Sequence, residues 1–234
     1  HRDLHSFPTR RSSDLMKAII FGYSGLVGSH LLHHLINNER ITEVICVGRN
    51  TTNQVEHSKV AYKNIDFETM HLYADDFKAN MVFCCLGTTI KKAGSQEMFQ
   101  KVDLHYPTEI CRLAKNNDVQ HFAVISSVGA DASSSNFYLR TKGEMETAVM
   151  QINIKNTMIF RPGLLLGARK EWRFGERIAM MINPAINPLL FGKLRKYRAV
   201  EANEVAAAML QSILSESASQ INHYDEIKLL SKQL

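Results

Sequence analysis

The run Val82-Phe83-Cys84-Cys85-Leu86 is apolar at every position. A strand with one wet face alternates apolar and polar residues. A strand without alternation has to be covered on both faces, which a parallel sheet layered between helices provides. Other β-rich apolar runs fall at Lys17–Phe21, Glu43–Val47, Val60–Ile65, Met81–Cys85, Phe122–Ser126 and Thr157–Phe160. Segments of helical period lie at Leu26–Ile36, Glu97–Lys115, Tyr138–Met150 and Ala202–Leu214. No internal repeat or low-complexity linker divides this βαβ rhythm. It predicts an α/β fold, a doubly wound and mainly parallel sheet. Beyond Pro162 the rhythm breaks at Arg173-Phe-Gly-Glu-Arg and Asn183-Pro-Ala-Ile-Asn-Pro188. Such text suits a small irregular substrate-side lobe after about residue 163, not a second domain.

Residues His1 to Leu15 read differently from the rest: polar, rich in Arg and Ser, and without helical or strand period. They lack the apolar stretch of a signal peptide and are taken as a non-native or disordered tail, with Met16 as the start of a single domain over residues 16–234. The remainder is long enough for one α/β domain with a sizeable core. Nothing in it approaches the roughly 18 consecutive apolar residues of a membrane span. Cys46, Cys84, Cys85 and Cys111 sit in apolar patterns without metal-type spacing. Reduced core thiols and a cytoplasmic home are therefore expected. The formal charge of +5 and the pI near 9.0 suit an anionic ligand. The basic residues are scattered and lack aromatic interleaving, which argues against nucleic acid as a partner.

Directly after the first apolar run comes Gly22-Tyr23-Ser24-Gly25-Leu26-Val27-Gly28, followed by a helical pattern. A strand, a tight glycine turn and a helix N-terminus leave backbone N–H groups and a positive dipole end aimed at one spot. A diphosphate is the natural occupant. The spacing Gly-x-x-Gly-x-x-Gly is weak by itself, and an ordinary strand-to-helix turn is the competing reading. Its place in the first βαβ unit favours the ligand, because a doubly wound Rossmann-type sheet receives its nucleotide there. The second strand ends Val47-Gly48-Arg49-Asn50, with no acid until Glu56. An acid at that point would accept from a ribose 2′-hydroxyl, whereas the Arg49 guanidinium offers paired donors and a fixed charge to a 2′-phosphate. NADP(H) is expected over NAD(H), with a solvated loop charge as the alternative account of Arg49.

Tyr138-Leu-Arg-Thr-Lys142 opens a later helical segment, after a strand that ends in Ser126-Ser127-Val128-Gly129-Ala130. Four-residue spacing puts Tyr138 and Lys142 on one helix face. An ammonium beside a phenol favours the phenolate, making Tyr138 a usable acid–base toward a carbonyl oxygen. A plain amphipathic helix surface is the competing reading.

Together these residues resemble the short-chain dehydrogenase/reductase superfamily, specifically its atypical members. The resemblance runs from Met16 to about Leu214. It also rests on Asp66-Phe67, Phe83-Cys-Cys-Leu-Gly-Thr-Thr89, Lys92-Ala-Gly94, Val102-Asp103, Gly129-Ala-Asp131, Ser135-Asn-Phe137, Tyr138-x-x-x-Lys142-Gly-Glu144 and Phe160-Arg-Pro-Gly163. It implies that Gly22, Ser24, Gly25, Leu26, Val27 and Gly28 line the diphosphate, Arg49 and Asn50 the 2′-phosphate, and Asp66 and Phe67 the adenine. Leu86, Gly87 and Thr88 would pass beneath the ribose and nicotinamide, with Leu165 and Arg173 completing the pocket. Tyr138 would be the general acid, Lys142 would hold the nicotinamide ribose and tune Tyr138, and Ser127, chosen over Ser126, would hydrogen-bond the substrate oxygen. Asn50 stands where close relatives carry a second Arg, which softens the NADP(H) preference. Little resemblance remains after Arg173, so the substrate is not readable.

The function implied is an NADP(H)-dependent oxidoreductase acting on a small carbonyl or alcohol. The alternative is an NADP(H)-sensing binding protein that regulates a protein partner, with little or no turnover. A non-redox sugar-nucleotide epimerase or dehydratase fits less well, because such substrates need a larger C-terminal lobe. His30 and His34 sit four apart but lack a third metal ligand. Cys84-Cys85 lies in an apolar strand with no activating neighbour in sequence, so inert thiols are expected. Lys193-Leu-Arg195-Lys196-Tyr-Arg198 reads as a solvated loop, or as a contact for an anionic surface or protein.

Overall fold

The computed structural model describes residues 15–49, 54–167, 190–215 and 220–234. Asn50 and Arg173, both expected at the cofactor site, lie outside the described residues. In chain order the elements are β1 (Met16–Phe21), α1 (Leu26–Asn37), β2 (Ile41–Gly48), β3 (Val60–Asn64), β4 (Met81–Cys84), α2 (Ile90–Ala93), α3 (Gln96–Gln100), α4 (Tyr106–Asn116), β5 (His121–Ile125), α5 (Phe137–Ile152), β6 (Asn156–Phe160), β7 (Leu165–Leu166), β8 (Val200–Glu201), α6 (Ala202–Leu214), β9 (Ile221–Asn222) and α7 (Tyr224–Ser231).

Seven strands pair in the order β3-β2-β1-β4-β5-β6-β9, each neighbour parallel to the next. This is the doubly wound α/β sheet that the apolar runs predict, and its strand order reverses between β1 and β4. Along β1, Ala18 and Ile20 join a core with Leu31 and Leu35 of α1 and Val205 and Met209 of α6. Ile19 and Phe21 join a second core on the opposite face, with Ile110 of α4 and Met145 of α5. Both faces are dry, so no residue of β4 has a polar side to turn toward. At about 1.5–3 kcal/mol per fully buried large apolar side chain, these two cores are the main source of stability.

The expected helix over Glu97–Lys115 is interrupted. A π-helical turn at Lys101–His105 joins α3 to α4. Pro107 has no N–H, and its ring would crowd the carbonyl four residues back, that of Asp103. One widened turn relieves that clash without breaking the helix. The elements α2, β7, β8, β9 and α7 and the 3-10 segments Phe67–Phe77 and Gly192–Tyr197 fall outside the strands and helices expected from the sequence. β7 and β8 pair in a separate two-stranded sheet that follows β6.

Candidate cofactor and active site

Strand register brings the expected residues to one edge. Phe21 pairs with Val47 of β2 and with Cys84 of β4, Cys84 with Val124 of β5, and Ile125 with Phe160 of β6. The segments starting at Gly22, Arg49, Cys85, Ser126 and Arg161 therefore leave the carboxyl edge side by side. In open α/β sheets ligands bind outside this edge, where the order reverses.

Each of the three glycines has its own reason to be there. Gly22 adopts φ +77°, and a Cβ on it would lie 2.6 Å from the Cys85 carbonyl oxygen. A Cβ on Gly28 would lie 2.1 Å from the Gly22 carbonyl oxygen. Between them the Gly25 N–H donates to that same carbonyl at 3.0 Å, closing the turn. Gly25 caps α1 without any side-chain hydrogen bond to the first-turn amides. The helix therefore presents its N-terminal N–H groups rather than satisfying them with a side chain. Ser24 and Gly25 are exposed, Leu26 is half-buried, and Val27 is buried beneath them.

Arg49 stands exposed at the end of β2, near enough to Tyr106 to act on it electrostatically. Asp66 is exposed and caps the following 3-10 segment, accepting from the Glu68 N–H at 3.0 Å. The Phe67 ring packs into the core against Phe21 and Tyr106, with centroids 6.1 and 5.2 Å away. Any adenine contact at Phe67 thus falls to its backbone. The Tyr106 hydroxyl donates to Glu68 at 2.5 Å. Burial and that carboxylate push the phenol up to about 12.

Beneath Gly87 and Thr88 lies the most buried ion pair of the molecule's described part. Lys142 Nζ meets Asp103 Oδ1 at 2.7 Å, with side chains 5% and 1% exposed. The second carboxylate oxygen accepts from the Thr88 N–H at 2.9 Å. Lys142 also approaches the Ile125 carbonyl at 3.4 Å. Burial opposes the ammonium, but the Asp103 carboxylate and the nearby Tyr138 phenol overrule it and hold Lys142 above the ordinary lysine range. One turn earlier on α5, Tyr138 is half-buried with its ring 5.6 Å from that of Phe99. Asn136 caps the helix, its side chain accepting from the Leu139 N–H at 3.1 Å. Gly143 lets α5 seat on the preceding loop, since a Cβ there would lie 2.1 Å from the Ala132 nitrogen.

The two serines separate cleanly. Ser126 is buried and donates to Glu146, which also holds Arg161 through two Nε contacts of 2.9 and 3.1 Å and an Nη2 contact. Ser127 is half-exposed, its hydroxyl 3.3 Å from the Val128 carbonyl. A groove of about 480 Å³ touches Glu146 and Arg161, but Tyr138, Lys142 and the glycine turn do not line it. Leu165, in β7, is half-buried against the same core as α1. Two residues on, a Cβ at Gly167 would meet the Leu26 side chain at 3.0 Å, so this strand returns to the glycine turn.

Asp103 is the residue that sequence reasoning missed as a site member. It was visible only as part of a family motif, and the signal that finds it is Pro107 four residues later, whose clash imposes the π turn that carries it. All four thiols are pushed up by burial, Cys46, Cys84 and Cys111 to about 12. His34 Nε2 lies 2.9 Å from Asn203 Oδ1. Among the described residues no group of three His, Cys, Asp or Glu is placed to hold a metal. No helix among them is long and apolar enough to cross a membrane.

Fold and edge together define a Rossmann-type α/β protein with a glycine turn and a buried lysine on a Tyr-x-x-x-Lys helix. The family model described as "NAD dependent epimerase/dehydratase family" matches residues 18–224, and the chain belongs to that family. The resemblance to atypical short-chain dehydrogenases/reductases holds within it: rat Protein HTATIP2 is 36% identical over 209 residues, covering 86% of this chain and 83% of its own. Protein FMP52, mitochondrial, of Candida albicans is 32% identical over 203 residues, covering 84% and 88%. That name does not support the expected cytoplasmic home. Among solved structures, the Bordetella bronchiseptica enzyme WbmH in complex with NAD+ aligns with TM-score 0.67 at 14% identity, over 90% of this chain and 75% of that one. UDP-glucose 4-epimerase from Thermotoga maritima aligns with TM-score 0.65 at 16% identity, over 93% and 82%. At such identities the likeness shows the fold.

Proposed function

We propose that this chain is an NADP(H)-dependent oxidoreductase that interconverts a small carbonyl and its alcohol. The observation that carries the reading is the buried Asp103–Lys142 pair one helical turn from Tyr138, at the strand edge that also bears the glycine turn. The residues present fit a dinucleotide. Gly22 and Gly28 leave room where a Cβ would collide with backbone, and α1 offers a helix start with no side-chain cap. Gly22, Ser24, Gly25, Leu26, Val27 and Gly28 would hold the diphosphate, Arg49 the 2′-phosphate, and the Asp66–Phe67 backbone the adenine. Leu86, Gly87, Thr88 and Leu165 would border the nicotinamide half. The WbmH complex contains NAD+, so that fold accepts a nicotinamide dinucleotide in a distant relative. The nicotinamide, when bound, supplies or takes up the hydride.

The chain's own residues then handle the proton and the oxygen. Tyr138 gives its hydroxyl proton to the carbonyl oxygen in reduction and recovers one from the alcohol in oxidation. Ser127, its hydroxyl not committed to the Glu146 network, hydrogen-bonds the same oxygen. Lys142, kept charged by Asp103, sits one turn from Tyr138 and would hold the nicotinamide ribose. Ser126, fixed to Glu146, anchors the strand end that presents Ser127.

The test is Tyr138→Phe. NADPH affinity should stay within about twofold while carbonyl turnover falls at least ~100-fold, the scale of general acid–base catalysis. Full turnover by that variant removes Tyr138 from the chemistry. Tight NADPH binding by wild type, with no turnover on aldehydes, ketones or quinones, would favour the cofactor-sensing alternative.

A further inference from the structure

Residues Phe191 to Arg198 form a feature that the cofactor site does not use. Gly192–Tyr197 is a 3-10 helix, closed by the Leu194 N–H donating to Phe191 and the Arg198 N–H to Arg195. With three residues per turn, side chains three apart eclipse one another. The segment is therefore a three-edged rod, and its sequence gives each edge one character. Phe191, Leu194 and Tyr197 share an edge and are 72%, 52% and 44% exposed. Lys193 and Lys196 share the second edge, both exposed. Arg195 and Arg198 share the third, and that edge is fastened to the protein. Arg195 pairs with Asp225 at 2.6 Å, while Arg198 donates to the Leu190 carbonyl at 2.7 Å and lies over the Tyr224 ring.

Fastening one edge to α7 turns the other two outward together. The rod's backbone is braced from beneath as well, because a Cβ on Gly163 would lie 2.6 Å from the Arg198 carbonyl oxygen. Phe191 and Leu194 are among the most exposed large apolar side chains of the described residues, and they stand beside two lysines on the same 3-10 turn. An apolar row that includes aromatic residues, flanked by cations, matches the boundary between anionic headgroups and acyl chains. Rings and a leucine enter the boundary while the ammonium groups meet phosphates, and the lysine stems snorkel between them.

We infer that the 191–198 turn is a membrane-docking element that seats Phe191, Leu194 and Tyr197 in the interface of an anionic phospholipid bilayer, with Lys193 and Lys196 on the headgroup phosphates. Charge complementarity selects the bilayer over a neutral apolar partner. A row only three side chains long gives peripheral, reversible attachment and no span.

The full chain should be sedimented with vesicles of phosphatidylcholine alone and of phosphatidylcholine containing phosphatidylserine at about one part in three. Binding is expected to the anionic vesicles only, falling steeply with added salt. Phe191→Ser/Leu194→Ser should weaken it at least ~10-fold by removing the inserted row, and Lys193→Gln/Lys196→Gln by a similar factor. Lys78→Gln/Lys232→Gln removes the same charge elsewhere and should leave it within about twofold. Unchanged far-ultraviolet circular dichroism and NADPH affinity in each variant keep a folding defect from imitating the result. Three results each overturn the inference: no binding to anionic vesicles, equal binding to neutral ones, or equal loss in the control pair. So does undiminished binding by the Phe191/Leu194 variant, which would reduce the contact to charge alone.

Discussion

Removing Asp103 tests the buried pair most severely. In the native structure its carboxylate neutralises an ammonium 5% exposed and also accepts the Thr88 N–H. Asp103→Ala leaves Lys142 charged, dry and without its counterion, and leaves the Thr88 amide without its acceptor. Breaking one side of a buried ion pair costs about 3–5 kcal/mol. For a domain of this size that corresponds to a fall in Tm of roughly 6–20 °C, at about 2–4 °C per kcal/mol. Removing both charges together relieves most of the penalty, because apolar replacement of a whole buried pair is often near neutral. Asp103→Leu/Lys142→Met should therefore lose well under the sum of the single variants in a double-mutant cycle read by urea denaturation. Alkaline pH gives an independent check. Lys142 is raised in the folded state, so its stabilisation is complete below its unfolded value near pH 10.4 and fades as pH climbs through the higher folded value. The difference in stability between wild type and Lys142→Met should thus be constant to about pH 10 and shrink above it. A loss below ~1 kcal/mol for Asp103→Ala, or additive single variants, refutes the reasoning.

The glycines separate close approach from conformation. Gly28→Ala drives a Cβ to within 2.1 Å of the Gly22 carbonyl, so it should abolish measurable NADPH binding and destabilise by more than ~1–3 kcal/mol in denaturant titrations. Gly94→Ala, at φ +83° with no heavy atom within 4 Å, should cost only the left-handed backbone, about 1–2 kcal/mol, and leave NADPH affinity unchanged. Arg49→Ala should weaken NADPH at least ~10-fold in calorimetric titration and NADH by less than about twofold, since only the former carries the 2′-phosphate. Equal loss of both cofactors, or of neither, removes Arg49 from cofactor choice.

Much of this architecture was legible because parallel strands buried on both faces leave an unusual mark. Val82 to Leu86 has no polar alternation, and in the structure both sides of β4 are dry. The glycine turn was legible for a similar reason, as Gly22 and Gly28 answer backbone approaches that no other residue tolerates. Short elements left no such mark. β9 has two residues, too few for a period, and its pairing with β6 is a tertiary matter. Asp103 sat inside an expected helix, where an acid normally means a solvated face. Its burial follows from the π turn that Pro107 forces and from a lysine that the fold brings from α5. Ser126 and Ser127 are equivalent as letters, and only the position of Glu146 and Arg161 tells them apart. Phe67, expected at the adenine, turns its ring into the core against Phe21 and Tyr106, something no motif could reveal.

The central claim is that Tyr138 and the glycine turn serve one hydride transfer. Incubating the chain with NADPH deuterated at the transferable C4 position and a panel of aldehydes, ketones and quinones, then weighing the products, tests it most directly. The account predicts at least one alcohol or hydroquinone product, with deuterium placed on carbon by wild type in the carbonyl cases. It also predicts at least ~100-fold less product from Tyr138→Phe at equal cofactor occupancy. Cofactor that binds tightly and is never consumed, or product formed equally well without the Tyr138 hydroxyl, would contradict it.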